Sequence, residues 1–161
     1  MKLRLRRTGT VEVPLPTYAT PGSAGFDLHA AISAPLVLLP GRRIVVPTGL
    51  MMAIPPGFEG QVRARSGHAR NAGISVTNGV GTIDSDFRGH LEVLLINHGT
   101  ENFGIKPLMK IAQFIIAPIV QVEPEFVDEL DETERGTGGF GSTNVGTVFQ
   151  PFFKGEKPNP G

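Results

Sequence analysis

The sequence contains no cysteine, which excludes disulfide bonds, thiol catalysis and cysteine-ligated metal. This absence fits a reducing compartment, and we expect a cytoplasmic protein. Long apolar runs are also missing, since no stretch approaches the roughly 20 residues that cross a bilayer as a helix. The opening MKLRLRR alternates like a strand and lacks the apolar region of a secretory signal. We therefore expect no association with a membrane.

An excess of charge of either sign is absent as well, because 15 basic residues balance 15 acidic ones. A neutral chain with dispersed basic residues does not favour nucleic acid as a partner. Glycine and proline are abundant, with 21 and 14 residues, and they separate short runs rich in Val, Ile and Leu. In a chain of 161 residues this pattern predicts one all-β domain, a sandwich or barrel, followed by a tail.

The most informative stretch predicts a β-hairpin over residues 74–83, with Asn78-Gly79 in a tight type I′ turn. The returning strand leads into Asp84 and Asp86, which would share one face if the strand continued. Phe87 and the cationic Arg88 follow directly in the chain. A carboxylate, an aromatic ring and a cation therefore lie beside glycines that a flat ligand can approach closely. An ordinary solvated turn rich in Asp and Gly would explain the same residues.

Alternation of apolar and polar residues predicts the other strands. Phe26 and Leu28 alternate with Asp27 and His29, so the acid and the imidazole should face away from the core. We expect His29 to be a surface residue, because no second histidine stands at metal-ligand spacing. The remaining predicted strands comprise residues 3–7 (an edge strand), 36–39, 43–46, 50–54, 58–65, 90–97 and 109–120.

A short helix is predicted after Arg65, with Ser66 as its cap and Gly73 at its end. An exposed helix N-terminus beside an arginine suits a phosphate group, although a plain capped turn would have the same sequence. Ser66 is not expected to be a nucleophile, because no Ser-His-Asp order or G-x-S-x-G elbow surrounds it. Gln113, isolated in the last apolar run, is open to a structural or a functional role.

The composition of the chain changes after residue 122. Residues 123–134 contain seven acids and no base, which predicts a solvated connecting arm. The next ten residues place four glycines around Phe140, between Arg135 and a Ser-Thr pair; such a loop can wrap phosphate while its ring covers a planar group. It is not a P-loop, since no Gly-Lys-Ser/Thr follows, and a disordered tail is the alternative. We therefore divide the chain into a barrel (1–122), an arm with its loop (123–144) and a flexible tail (145–161).

Five separated segments resemble, in order, the five motifs of the trimeric dUTP pyrophosphatases (dUTPases). The segments are AGFDLHA (24–30), RSGHA (65–69), NGVGTIDSDFRG (78–89), KIAQ (110–113) and RGTGGFGST (135–143). The third and fifth are the most specific. The resemblance implies an all-β, jelly-roll-like distorted β-barrel of the dUTPase-like or β-clip type. It also implies a homotrimer with an exchanged C-terminal arm and with active sites between subunits.

The resemblance implies an activity, the hydrolysis of dUTP to dUMP and pyrophosphate, which limits uracil in DNA and supplies dUMP for dTMP synthesis. Asp84 would activate the water that attacks the α-phosphorus, and Asp27 would reach Mg²⁺ through metal-bound water. Uracil would be read by Asn78 and the backbone that follows it, with Phe140 stacked above and Phe87 against the deoxyribose. The full set of implied substrate contacts is Arg65, Ser66, Gly67, Asn78, Gly79, Val80, Gly81, Phe87, Gln113, Arg135, Phe140, Gly141, Ser142 and Thr143.

Three positions depart from the usual family pattern. Phe87 stands where the family usually has tyrosine, so stacking should survive while a hydrogen bond from the hydroxyl is lost. Leu108-Met109-Lys110 replaces a Gly-Asp-Arg-like turn, which leaves the turn and the reach of the basic residue open. His68 replaces an aliphatic residue, and we expect it to serve packing or to lie on the surface.

Two alternatives compete with dUTP hydrolysis. A dCTP deaminase of the same barrel superfamily needs a glutamate proton shuttle after the third motif. Glu92 is the only glutamate there, and the expected position of the shuttle is occupied by Leu94. The other alternative is a non-catalytic trimeric interaction module, against which the presence of Asp84, Asp27, Arg135 and Phe140 argues.

Overall fold

The structure, a computed structural model, describes residues 1–139, and the predicted tail lies outside this range. Ten strands and one short helix occur within it. Their bounds are β1 Arg4–Arg7, β2 Phe26–His29, β3 Leu36–Leu38, β4 Arg43–Ala53, β5 Phe58–Arg63, α1 Ser66–Ala72, β6 Ile74–Val76, β7 Gly81–Ile83, β8 Leu91–Asn97, β9 Phe103–Ile105 and β10 Lys110–Pro118.

The chain divides into two compact units, Met1–Gln121 and Val122–Gly161. All the strands and the helix belong to the first unit. In the second unit, residues 122–139 form neither helix nor strand, and nearly all of their side chains are exposed. Within residues 1–139, no helix has the length and apolar character needed to cross a membrane.

The first unit is an all-β, jelly-roll-like barrel, as predicted, and it is built from three antiparallel sheets. Sheet I has the strand order β1-β4-β8-β6, sheet II has the order β2-β10-β5-β7, and sheet III pairs β3 with β9. The predicted edge position of the first strand is confirmed, since β1 pairs only with β4 among the described strands. Sheet II matters most here, because it carries the candidate site residues Asp27 and Gln113 and leads directly into Asp84.

The core lies between the inward faces of these sheets. The predicted alternation of β2 is confirmed, since Phe26 and Leu28 are buried while Asp27 and His29 are only partly covered. Phe114 of β10 is fully buried and stacks on Phe26 with ring centroids 5.4 Å apart. This packing fixes β2 beside β10 and so determines where their outward side chains meet.

Two of the predicted strands, 43–46 and 50–54, form a single strand, β4. The proline between them was expected to break the strand, but the register with β8 shifts between Pro47 and Leu50 instead. Gly49 takes a left-handed φ of 68°, and the buried Thr48 hydroxyl donates to the Leu91 carbonyl at 2.6 Å. A bulge of this kind accommodates Pro47, which has no N–H to donate to the hydrogen bonds between the strands.

The predicted hairpin around Asn78-Gly79 is wrong. β6 pairs with β8 in sheet I and β7 pairs with β5 in sheet II, so the two segments do not pair with each other. Gly79 has a φ of 74°, but Asn78 does not have the positive φ that a type I′ turn requires. The turn therefore carries the chain from one sheet to the other. β7 also ends at Ile83, so Asp84 begins a turn rather than continuing a strand.

Candidate active site

Asp27 is the centre of a cluster of charged side chains on sheet II. Arg65 Nε lies 3.0 Å from one of its carboxylate oxygens and Lys110 Nζ lies 2.9 Å from the other. The side chain of Asp27 is only 17% exposed and that of Arg65 30%, so water screens their charges incompletely. Residues of the first, second and fourth motifs thus meet at the Asp27 carboxylate.

The protonation states of this cluster follow from its geometry. Burial alone would raise the pKa of Asp27, but the Lys110 hydrogen bond and the positive charges of Arg65 and Lys110 lower it below the usual 3.8. Burial and the charge of Lys110 likewise lower the pKa of His29 from 6.5, although the Asp27 charge opposes this shift. At neutral pH one carboxylate therefore faces two cations and a neutral imidazole. The cluster keeps a net positive charge, which suits an anionic ligand.

Lys110 owes its position to an unusual turn. Residues 106–109 form a turn in which the Met109 N–H donates to the Lys106 carbonyl at 3.0 Å, and Leu108 has a φ of 59°. This is the left-handed region that glycine enters freely and that costs other residues about 1–2 kcal/mol. Leu108 therefore adopts a conformation that favours glycine, the residue type that the resemblance predicts at this position. The reach of Lys110, which the sequence left open, extends to Asp27.

Gln113 lies beside this cluster on β10, where it pairs with Asp27 of β2 on one side and Arg63 of β5 on the other. It is partly buried. A cavity of about 430 Å³ opens next to it, and its polar lining includes Asp27, His29, Lys110 and Gln113. The site is therefore a concave pocket with several polar groups facing it, which is the usual form of a small-molecule site.

The helix α1 begins directly after Arg65 and ends at Gly73, whose φ of 66° confirms it as the predicted helix end. The prediction that Ser66 caps the helix is wrong. Arg65 has the extended backbone of a cap residue, without a side-chain cap bond, and Ser66 is the first helical residue. The first-turn N–H groups of the exposed Ser66 and Gly67, which lack intrahelical partners, follow Arg65 directly in the chain.

The segment around Asp84 forms a second group of candidate residues. Asn78, Gly79 and Val80 are exposed, while Gly81 is buried against Val62 and the Asn78 amide. Asp84 opens a turn closed by the Phe87 N–H, which donates to the Asp84 carbonyl at 3.2 Å. Within residues 1–139, the Asp84 carboxylate has neither an ion-pair partner nor a hydrogen bond. It is free to hold a water or a ligand.

Gly89 determines where the Phe87 ring lies. A Cβ at position 89 would stand 2.4 Å from the ring carbon Cζ of Phe87, well inside van der Waals contact. The ring therefore packs directly over the glycine backbone while 42% of the residue stays exposed. Phe87 offers an apolar surface to a ligand bound beside it.

The two groups lie at opposite edges of sheet II. β2, with Asp27, is at one edge, and β7, which leads into Asp84, is at the other, with β10 and β5 between them. Three spacings of about 4.8 Å separate the two edge strands by about 14 Å. One chain therefore brings Asp27, Arg65 and Gln113 together but holds the Asp84 group apart from them.

The second unit contains one described candidate residue, Arg135. Its Nε donates to the Gly138 carbonyl at 2.9 Å across a short turn, and its side chain is exposed. The other candidates of this loop, Phe140, Gly141, Ser142 and Thr143, lie outside the described residues.

Lys110 is a site residue that the sequence analysis did not assign. The signal was present, because it opens the fourth motif three residues before Gln113, but its ion pair with Asp27 depends on a turn that the sequence left uncertain. Among residues 1–139, no three His, Cys, Asp or Glu side chains are grouped as a metal site would require.

A family model described as dUTPase matches residues 11–144 of this chain. The deoxyuridine 5'-triphosphate nucleotidohydrolase of Rhizobium johnstonii is 55% identical over 133 residues, which are 81% of this chain and 85% of the relative. The protein of the same name from Caulobacter vibrioides is 51% identical over 148 residues, covering 90% of this chain and 96% of the relative.

A solved structure of similar fold is the dUTPase of Staphylococcus bacteriophage 80alpha with dUPNHPP. It superposes with a TM-score of 0.80 at 24% identity, over 89% of this chain and 99% of the phage chain. At this level of identity the likeness concerns the fold.

Proposed function

This chain belongs to the dUTPase family and is a dUTP diphosphatase, and from that premise we propose that Asp84 activates the water that attacks the α-phosphorus of dUTP. The free state of its carboxylate supports this role. A carboxylate engaged by a cation is a weaker base, and Asp84 has no such partner among the described residues. Asp84 would hold the water by a hydrogen bond and take its proton as the bond to phosphorus forms, with pyrophosphate as the leaving group.

The triphosphate would bind to the positive cluster at the other edge of sheet II. Arg65 donates from Nε to Asp27 and from Nη1 to the Lys110 carbonyl, which leaves Nη2 for phosphate oxygens among the described residues. The N–H groups of Ser66 and Gly67 and the amide of Gln113 would add neutral donors. We propose that Arg135 and the loop residues Gly141, Ser142 and Thr143 close over the far phosphates. Donors of this kind stabilise the charge that develops during transfer.

Mg²⁺ fits this site only through water. Arg65 and Lys110 occupy one position on each oxygen of Asp27, but a carboxylate offers about four acceptor positions, so two remain. Mg²⁺ keeps most of its waters and prefers phosphate oxygens, so a single carboxylate that accepts from its waters is sufficient. When bound, the ion would neutralise charge on the triphosphate. The contribution of this chain is to orient the hydrated ion with Asp27.

Uracil would bind at the turn after β6. We propose that the Asn78 side chain and the backbone of residues 79–81 present the donors and acceptors that fit uracil, with Phe140 stacked above the ring. We propose that the closed turn leaves no room for a C5 methyl. Cytosine would leave buried polar groups mismatched, and such errors cost more than a lost apolar contact. These features exclude the other pyrimidines.

A single site would need residues from more than one chain. The observation that carries this proposal is the separation of the Asp84 and Asp27 groups across sheet II. Since a bound dUTP must touch both, we propose a homotrimer in which each site combines the two edges of different subunits and a C-terminal arm exchanged from a neighbour. Such an enzyme would limit uracil in DNA and supply dUMP for dTMP synthesis.

The substrate choice is tested by pyrophosphate release from dUTP, dTTP, dCTP and UTP, each with and without Mg²⁺. We expect Mg²⁺-stimulated release from dUTP and at least about 10²-fold less kcat/KM with UTP, because in the proposed site the Phe87 ring would occupy the space of a 2′-hydroxyl. Comparable rates with UTP and dUTP would contradict the role of Phe87. Ammonia release from dCTP would instead indicate a deaminase.

Gly89→Ala supplies a matched variant for this experiment. The added methyl must displace the Phe87 ring, so we expect the preference for dUTP over UTP to fall about ten-fold. Gly22→Ala is the control, because a Cβ there meets no atom within 4 Å. If Gly89→Ala kept the wild-type preference, the position of the ring would not set sugar specificity.

A further inference from the structure

His68 lies on α1 three residues after Arg65, and its ring reaches the start of β10. The Nε2 atom is 2.8 Å from the Lys110 carbonyl oxygen and 3.3 Å from Arg65 Nη1. The ring also packs edge-on against Phe103 of β9, with centroids 5.3 Å apart. The imidazole is therefore held from two sides and lies directly beside the guanidinium.

The contact with the Lys110 carbonyl determines which ring nitrogen of His68 carries the proton. A carbonyl oxygen can only accept, so Nε2 must carry a hydrogen and donate it to Lys110. Arg65 Nη1 then faces an N–H group rather than a lone pair and makes no hydrogen bond to His68. Its own acceptor is the same Lys110 carbonyl, at 3.4 Å. The imidazole thus lies against Nη1 of the guanidinium, while Nε bonds to Asp27.

The other contacts of α1 hold its C-terminal end. No residue of α1 is fully buried, and the partly buried Ala72, which packs against the core, lies in the last turn, where the next residue, Gly73, accepts from the His98 N–H. The register of β10 against β2 shifts between Lys110 and Ala112, and the Lys110 carbonyl at this irregularity accepts from the side chains of Arg65 and His68. The bond from His68 is the shorter of the two. It ties the first turn of α1 to the strand that carries Gln113.

We propose that His68 is a positioning residue, which fixes the first turn of α1 on β10 and thereby sets the Arg65 guanidinium for the triphosphate. This proposal rests on the proposed phosphate contact of Arg65. An aliphatic residue at this position, as is usual in the family, would pack on Phe103 but could not donate to Lys110. In this chain the histidine does both.

The test compares His68→Leu, which keeps the apolar packing, with His68→Gln, whose amide nitrogen can still reach the carbonyl. We expect His68→Leu to raise KM for dUTP about three- to ten-fold, the factor typical of one net hydrogen bond. His68→Gln should stay within about two-fold of the wild type. His98→Leu, at an exposed histidine of the turn after β8, is the control. KM does not depend on the fraction of folded enzyme, so partial unfolding cannot imitate this result.

A thermodynamic cycle with Arg65→Lys shows whether His68 acts through the arginine. In that background His68→Leu should change KM less than two-fold. The inference is overturned if His68→Leu leaves KM unchanged, if His68→Gln behaves like His68→Leu, or if the effect persists undiminished beside Arg65→Lys. If Arg65→Ala leaves KM unchanged, the phosphate contact of Arg65 fails and the inference fails with it. If Arg65→Lys changes KM but His68→Leu does not, this inference is overturned while the proposed phosphate contact of Arg65 stands.

Discussion

Asp84→Asn should lower kcat for dUTP hydrolysis by about 10²- to 10⁴-fold, the range that a positioned general base contributes. Asparagine has the same shape and can still hold a water, but it cannot accept the proton. We therefore expect the affinity for dUTP, measured by equilibrium binding, to stay within a few-fold of the wild type. The turn should also survive, because its hydrogen bond joins the backbones of Asp84 and Phe87.

Asp86→Asn is the matched control for this variant. Asp86 lies two residues along the same turn and is equally exposed, so the two substitutions change charge and volume alike. Hydrolysis by Asp86→Asn should stay within about three-fold of the wild type, because surface substitutions rarely matter more. If Asp84→Asn retained more than about a tenth of the wild-type kcat, Asp84 would not be the base.

Arg65→Ala should lower kcat/KM for dUTP by about 10²- to 10³-fold, the cost of removing one donor that stabilises transition-state charge. The change removes a cation from the phosphate site and also the side chain that His68 positions. The fold should tolerate it, because Lys110 remains on Asp27 and the carboxylate is not left without a partner. Circular dichroism and the midpoint of thermal unfolding test whether the variant keeps the wild-type fold.

Arg63→Ala shows whether the loss of activity is specific to position 65 or follows from removing any nearby positive charge. Arg63 lies two residues earlier, at the end of β5, but its exposed guanidinium bonds to Gln61 rather than to the cluster. We expect nearly wild-type kinetics from this variant. Equal losses in Arg63→Ala and Arg65→Ala would show that the arginines only attract the substrate from a distance.

The sequence predicts best where local pattern and tertiary structure agree. The alternation of residues 26–29 correctly placed Phe26 and Leu28 inward, because one side of an edge strand covers the core. Gly73 was correctly predicted as a helix end, since a left-handed residue there favours glycine.

The two failures that concern strands share a physical cause, which is that each strand pairs with partners from distant parts of the sequence. Asn78-Gly79 is a strong local signal for a hairpin, yet the strands on its two sides find partners in β8 and β5, which belong to different sheets. Pro47 is a strong local signal for a strand end, yet β8 supports a bulge there. Local residues cannot report which neighbour a strand will meet.

The sequence named the candidate site residues but did not give their arrangement. Motif resemblance named Asp27, Arg65 and Asp84, whereas their distribution over two edges of one sheet depends on strand order. The ion pair of Lys110 with Asp27 depends on Leu108 taking a left-handed conformation, which its residue type disfavours.

The central claim is that the Asp84 edge of one chain and the Arg65 edge of another form a single site. Its most direct test uses the two inactive variants together. Asp84→Asn and Arg65→Ala are coexpressed with different affinity tags, and mixed oligomers are isolated by two successive purifications. Each variant expressed alone with both tags is the control.

If sites are shared between chains, some sites in the mixed oligomer combine an intact Arg65 edge from one subunit with an intact Asp84 edge from another. In a mixed trimer of either composition, about one site in three joins an intact Arg65 edge to an intact Asp84 edge. We therefore expect about a third of the wild-type dUTP hydrolysis to return, far above either variant alone. If the mixed oligomer is as inactive as its parents, each site lies within one chain and the account is wrong.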